Sequence, residues 1–294
     1  MSVAQPQAVS INTYTDSHFD YVTASLRADC HVFIEKPLAE TVAQCDEIIA
    51  LAQARNRKLV VGYILRHHPS WQRFVEIGQT LSKPLVMRMN LNHQSKERQW
   101  QHHRNIMETQ SPIVDCVVHY VDVMCQMTRS KPIRVHVIGA RLSDDLKEGM
   151  YNYGQLQLAF EDGSCGWYEA DWGPMMSEVA HFVKDVVGPS GCVSIVANSA
   201  PGESGKINSH VRASCLQLHH GGIDENSVFA RPDKFIDTGD EPDHQGLCNR
   251  EQAYFLQAIR DNIDLTEHMS DVRSSLAIVL AADESIRTKQ VVTL

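Results

Sequence analysis

Glycine is missing from the first 61 residues, and the first one in the chain is Gly62. A glycine-rich turn that lets backbone approach a phosphate at a helix N-terminus is therefore excluded from that stretch. Long apolar runs are also missing: none approaches 18 residues, so no segment reads as a membrane span. Met1 to Asp20 has no basic start followed by an apolar core, which excludes a secretory signal and makes the cytoplasm the expected location. The eight cysteines form no C-x-x-C pair and read as reduced thiols, with neither a disulfide framework nor a metal site expected. Basic residues are scarce, 27 Lys plus Arg against 36 Asp plus Glu, a formal net charge of −9. That balance argues against nucleic acid or an anionic membrane as the main partner.

What is present suits two domains. The chain has 294 residues, 43% hydrophobic and 21% charged, enough for a sizeable core. The first third alternates strands and helices. Ala8 to Thr13, His31 to Ile34 and Lys58 to Gly62 read as strands. Ser17-His-Phe-Asp20 and Thr41-Val-Ala-Gln44 read as capping boxes opening helices between them. Such alternation implies right-handed crossovers and a parallel sheet, with ligands beyond the strands' carboxyl ends. From Pro84 onward strands dominate: Leu85 to Leu91, Ile133 to Gly139, Gly154 to Phe160, Cys165 to Asp171, Val179 to Val187, Cys192 to Val196 and Val211 to Leu218. Their succession predicts a mostly antiparallel sheet. One strong helix, Pro112 to about Thr128, interrupts them. Ala197 to Lys206 and Gly221 to Gln245 read as loops. Helices from about Asn249 to Asp261 and Asp271 to Thr288 close the chain.

The helix after Pro112 carries Asp115, His119 and Asp122 within a band of roughly 60° on an otherwise apolar element. Ionisable groups in such a stripe are costly to bury unless they pair or line a site. A carboxylate one turn from an imidazole can fix its tautomer and raise its pKa, which suits proton transfer. An Asp–His pair on a solvated stripe is the bland alternative. Lys36 follows a parallel strand, and Pro37 holds it extended. There it could polarise an oxygen across a crevice, or it could be an ordinary surface lysine. Trp100, His102, His103, Tyr151, Tyr153, Trp167 and Trp172 could wall a sugar site, and each is as readily core or surface.

His31-Val-Phe-Ile-Glu35-Lys36-Pro37, followed by a capped helix, resembles the signature of the Gfo/Idh/MocA oxidoreductases. Ala8 to His18 resembles the family's fourth strand and its T-P-x-x-x-H turn, with Tyr14 in place of proline. Val61 to Pro69 resembles the segment leaving the nucleotide domain. Asp115-Cys-Val-Val-His119-Tyr-Val-Asp122 resembles the D-x-G-x-H-x-x-D helix, with Val117 in place of glycine. The resemblance implies an α/β fold: a partial Rossmann-like parallel sheet (residues 1–68), then an α+β substrate and oligomerisation domain with a large, mostly antiparallel open sheet (69–248), then closing helices (249–294). It implies NAD or NADP, a sugar or polyol substrate, and a homo-oligomer. Carried over, Lys36, Asp115 and His119 are the catalytic residues, with His119 taking the hydroxyl proton. Thr13, Thr15, His18, Glu35, Lys36 and Arg66 fall on the cofactor side, and Asp122 is structural.

The family's opening strand, G-x-G-x-x-G turn and helix have no counterpart in this sequence. The expectation is that roughly 60 to 75 residues of that domain are lacking, two or three βαβ units, and that Ala8 to Thr13 forms an exposed edge. A cofactor-deficient binding relic and a lyase or hydrolase using the same dyad are the alternative functions. Binding of the adenosine half of the cofactor should be weak or absent. Calorimetric titration of this chain with NAD and NADP checks that, and micromolar affinity would contradict it.

Overall fold

The computed structural model describes residues 5–177, 183–196, 213, 215–238 and 241–294. Three short strands, β1 (Ala8–Ile11), β2 (His31–Glu35) and β3 (Leu59–Gly62), form a parallel sheet in the order β1-β2-β3. Helices α1 (His18–Arg27) and α2 (Val42–Ala54) make the crossovers. The side chains of β2 alternate between faces. Val32 and Ile34 join the main core with Val22 and Leu26 of α1 and Cys45 and Ile48 of α2. Phe33 points the other way and packs with Val60, Phe255 and Ala258. Phe255 and Ala258 belong to helix α6 (His244–Arg260), so a C-terminal element covers the second face of the sheet. Strand β1 has only β2 as neighbour, an edge of four residues with Ser10 exposed.

The two expected capping boxes differ. Thr41 Oγ1 accepts from the backbone N–H of Gln44 at 3.1 Å, the N-cap contact its sequence suggested. Ser17 does not cap α1. It sits in helical conformation at the end of a 3₁₀ turn (Thr15–Ser17), and its hydroxyl donates to Thr13 Oγ1 and the Tyr14 carbonyl instead.

The second sheet has nine strands: β4 (Val86–Gln94), β5 (Pro132–Ala140), β6 (Tyr153–Phe160), β7 (Cys165–Gly173), β8 (Lys184–Gly188), β9 (Gly191–Val196), β10 (Cys215–His220), β11 (Lys234–Asp237) and β12 (Val292–Thr293). Their order is β11-β10-β9-β8-β4-β7-β6-β5-β12, antiparallel throughout except between β4 and β7. One face carries α3 (Pro69–Gln79), α5 (Val118–Thr128) and α7 (Thr266–Thr288), whose apolar residues join the main core. Among the described residues no helix is long and apolar enough to cross a membrane.

Several boundaries move. α3 and α4 (Glu97–Ile106) fall where no helix was expected. Gly221 to Gln245 is not all loop: it holds β11 and the first turn of α6, which starts at His244 rather than Asn249. α7 begins at Thr266, five residues before the expected Asp271. The loop at Ala197 to Lys206 and parts of the strands expected at Val179 to Val187 and Val211 to Leu218 lie outside the described residues.

The segment expected as one α-helix from Pro112 starts as a π-helical turn, Ile113–Val117, and becomes α only at Val118. Ile113 is fully buried, and it rests on Gly154 of β6. A Cβ on Gly154 would lie 2.8 Å from Ile113 Cγ1. The missing side chain thus sets how closely this turn approaches the sheet. Gly154→Ala should cost about 1–3 kcal/mol by overpacking. Urea unfolding measures this, and an unchanged midpoint would show that the turn relaxes without strain.

Candidate active site

Lys36 leaves the end of β2 and reaches across to the π turn. Its Nζ donates to the Asp115 carbonyl oxygen at 2.7 Å and to Asp115 Oδ1 at 3.0 Å. One residue comes from the parallel sheet, the other from a turn packed on the large sheet. Both are mostly shielded, with side-chain exposures of 16% and 19%. Burial opposes both charges, but the pair outweighs it: the Lys36 ammonium is held above its ordinary range and the Asp115 carboxyl below its own.

The stripe of three ionisable groups divides. Asp115 and His119 line a common cleft. Asp122 is fully buried and turned away from it, accepting from Arg66 Nε at 2.8 Å and Nη2 at 2.5 Å. Arg66 also donates to Asp271 of α7 at 2.7 Å. The wider π turn breaks the 100° step on which a single stripe depends, so Asp115 and Asp122 serve different networks.

Nor does Asp115 bring His119 above its ordinary range. Its Oδ1 is committed to Lys36, and His119 Nδ1 is buried with no hydrogen-bond partner. Burial, then the positive charge of Lys36, push the imidazole down to about 3, and Asp115 offsets this only in part. His119 is therefore neutral at physiological pH. Its ring meets that of Tyr63 edge-on, 5.9 Å between centroids.

The cleft, about 570 Å³, opens at the carboxyl ends of β2 and β3. Glu35 and Lys36 form one side of it, Asp115 and His119 another. The far wall carries His93 of β4, His102 and His103 of α4 and Trp172 of β7. His103 stacks on Trp172 at 4.4 Å between centroids, and His93 meets His103 edge-on at 4.7 Å. Desolvation, aided by His93 and His102, pushes His103 down to about 3. The wall is thus uncharged where it stacks. Trp172 Nε1 is buried without a hydrogen-bond partner. Of the other wall candidates, Trp100, Tyr151, Tyr153 and Trp167 do not line this cleft, and Trp167 borders a depression on the large sheet.

The residues expected on the cofactor side separate in the same way. Glu35 and Lys36 face the cleft; Thr13, Thr15, His18 and Arg66 do not line it. His18 is fully buried, its ring nitrogens 2.8 Å from the Pro37 carbonyl oxygen and 3.0 Å from that of Thr13. It ties the turn after β1 to the loop that carries Lys36. Thr13 is otherwise exposed, and Thr15 Oγ1 accepts from Gln110 at 2.9 Å. Glu251 of α6 also lines the cleft and was not anticipated. It lies in a helix recognised only as a closing element, and nothing local marks one of its acids as inward-facing.

Residues 1–63 match the oxidoreductase family with an NAD-binding Rossmann fold, and residues 76–183 match the GFO/IDH/MocA C-terminal domain. A UDP-N-acetylglucosamine 3-dehydrogenase of Acidithiobacillus ferrooxidans is 28% identical over 143 residues, 49% of this chain and 42% of that protein. An inositol 2-dehydrogenase of Salmonella typhimurium is 27% identical over 122 residues, 40% of this chain and 34% of that one. The matched stretch is thus less than half the length of either relative. Among solved structures, a scyllo-inositol dehydrogenase of Lactobacillus casei, with bound cofactor NAD(H) and scyllo-inositol, has a TM-score of 0.72 at 17% identity. That match covers 98% of this chain and 80% of the other, and it shows a shared fold.

The charge state of His119 is directly measurable. Its imidazole nitrogen shifts in NMR should stay those of a neutral ring as pH falls through 6.5 to about 4. Lys36→Met removes a repelling ammonium and leaves the Asp115 carboxylate unpaired. Both changes favour the imidazolium, so the His119 pKa should rise by about one unit or more. Wild-type titration near 6.5 would overturn the assignment.

Proposed function

The chain belongs to the Gfo/Idh/MocA oxidoreductase family, and on that premise we propose that its cleft carries hydride transfer between a nicotinamide cofactor and a sugar, polyol or sugar-derived alcohol. The observation that carries this reading is the Lys36–Asp115 contact, which sets an ammonium and a neutral imidazole on one cleft beyond the parallel strands. Lys36 has three N–H donors, and Asp115 takes two of its contacts, so one remains for a substrate hydroxyl. A positive charge beside that hydroxyl favours its alkoxide form. His119, neutral and with one ring nitrogen unpartnered, receives the proton. Asp115 acts through Lys36 by holding it, and is a positioning residue in this scheme. The His93–His103–Trp172 wall offers an aromatic stacking surface for a carbohydrate ring.

The nicotinamide end of NAD fits the chemistry of the cleft: Glu35 and Lys36 stand at the strand ends, and orphaned polar atoms on His119 and Trp172 await partners. When bound, that group supplies the hydride acceptor, and the chain's own residues bind, orient and deprotonate the alcohol. NAD is the cofactor named for the family that residues 1–63 match, and NADP is the comparison to run beside it. We place the nucleotide-binding part at residues 1–68, the substrate part at 69–248 and the closing helices after it. Pairing of copies through the large sheet is supported by exposed Val86, Ile138 and Val187 on its strands. Eight unpaired cysteines suit a reducing, cytoplasmic setting.

Reduction of NAD at high concentration, followed with inositols, aldoses and their derivatives, tests the reading. Lys36→Met should lower kcat/KM by about 10²–10³, as for loss of an electrostatic donor. His119→Asn should lower it by about 10²–10⁴, as for loss of a general base. Turnover that survives Lys36→Met would remove the oxidoreductase assignment of this cleft. Substrate conversion without any change in NAD would favour the lyase or hydrolase reading.

A further inference from the structure

Three carboxyl side chains and one ammonium line the cleft, beside the imidazoles of His93, His102, His103, His119 and His244. Lys36 and Asp115 compensate each other at 3.0 Å. His103 and His119 are neutral, each pushed down to about 3 with burial as the largest cause. Two more carboxyl groups remain, Glu35 at the end of β2 and Glu251 on α6, and both line the same cleft. Glu251 is 3% exposed, its Oε1 has no hydrogen-bond partner, and no ion pair to it occurs among the described residues. Burial, and then the neighbouring charge of Glu35, push its carboxyl up to about 8. Glu35 is also raised by burial, with Lys36 opposing most, through its charge and its backbone N–H, and His18 and His244 opposing less. Gly62 makes room for it: a Cβ there would lie 3.1 Å from the Phe33 ring and 3.4 Å from Glu35 Oε2. The glycine lets the Glu35 carboxyl lie over the end of β3, facing α6.

Ionising a buried carboxyl that has neither a donor nor a cation is costly, and a like-charged neighbour adds to the cost, so Glu251 keeps its proton until a cation arrives and gives it up when one binds. An anionic ligand group would meet repulsion. A metal lacks ligands, since no group of three or more His, Cys, Asp and Glu suited to a metal occurs among the described residues. We infer that Glu35 and Glu251 form a receptor for an organic cation entering the cleft beside Lys36. Two sources share that chemistry: the ammonium of an aminated sugar or polyol, and the cationic ring of an oxidised nicotinamide. A ligand cation between the two carboxylates gains charge-assisted contacts that a neutral isostere cannot make. This extends the hydride-transfer reading and rests on it only for the choice of cations.

Isothermal calorimetry on the full chain at neutral pH tests it with two matched pairs: glucosamine against glucose, and 1-methylnicotinamide against nicotinamide. The cationic member of at least one pair should bind about tenfold or more tightly than its neutral partner, the scale of one charge-assisted hydrogen bond. The pair that shows the preference identifies the source. Glu251→Gln keeps the shape and removes the charge, so the preference should disappear; a thermal melt at or above that of the wild type shows that the variant is folded. Glu35→Gln should weaken the same preference. Equal binding within both pairs in the wild type overturns the proposal, and so does a preference that persists in both variants. If hydride transfer fails, these binding contrasts still stand or fall alone. If the contrasts fail, the Lys36→Met kinetics are untouched.

Discussion

The contact between Lys36 and Asp115 joins the two halves of the molecule at the place where chemistry can occur. Lys36 belongs to the three-stranded parallel sheet, and Asp115 to a turn seated on the nine-stranded one. Each charge is mostly removed from water, and neither could remain ionised there without the other. Losing either partner of such a buried pair commonly costs about 3–5 kcal/mol, because the survivor is left uncompensated. That requirement makes the relative placement of the halves part of the site. It also contributes to the neutrality of His119: burial is the larger cause, and the ammonium that Asp115 holds in place adds to it.

Two further networks keep these groups where they are. His18 spans the carbonyl oxygens of Thr13 and Pro37, tying the loop beyond β2 to the turn beyond β1. Arg66 spans Asp122 of α5 and Asp271 of α7, tying the segment beyond β3 to the helices under the large sheet. Lys36 lies next to the first tie, and His119 lies one helical turn from the second. Residues that resemblance placed on the cofactor side thus hold the walls of the cleft. Their side chains are satisfied within the protein, whereas His119, Trp172 and Glu251 each keep an orphaned buried atom at the cleft. A buried orphan in a native structure calls for an explanation, and a ligand in the cleft is the one proposed for these three.

Much of this was legible in the sequence where one physical rule dominated. Alternation of β-favouring runs with helical stretches identified the parallel sheet, and the succession of strands after Pro84 identified the antiparallel one. Lys36, Asp115 and His119 stood out because ionisable groups are rare on such apolar elements. What was not legible depends on long-range contact. The π turn follows from Ile113 resting on Gly154, 41 positions away, and no local propensity encodes it. α4 is too polar to show an apolar stripe, burying chiefly Trp100 and His103. The partners of Arg66 and the inward aim of Glu251 appear only when α6 and α7 return to the parallel sheet.

The charge arrangement of the cleft explains how a weakly basic imidazole could still serve. In the resting protein His119 is a neutral imidazole with a single ring proton, because burial and Lys36 both oppose a second. A substrate hydroxyl bound to Lys36 would share that ammonium, and as it gave up its proton its own growing negative charge would screen Lys36 from the imidazole. The term that depresses His119 would weaken as proton transfer proceeds. Once ionised, Glu35 and Glu251 would act on the same balance from the opposite side, favouring positive charge within the cleft. In the proposed reaction the site would thus couple three changes through electrostatics: loss of the hydroxyl proton, its arrival on His119, and the charge of whatever occupies the space between the two glutamates.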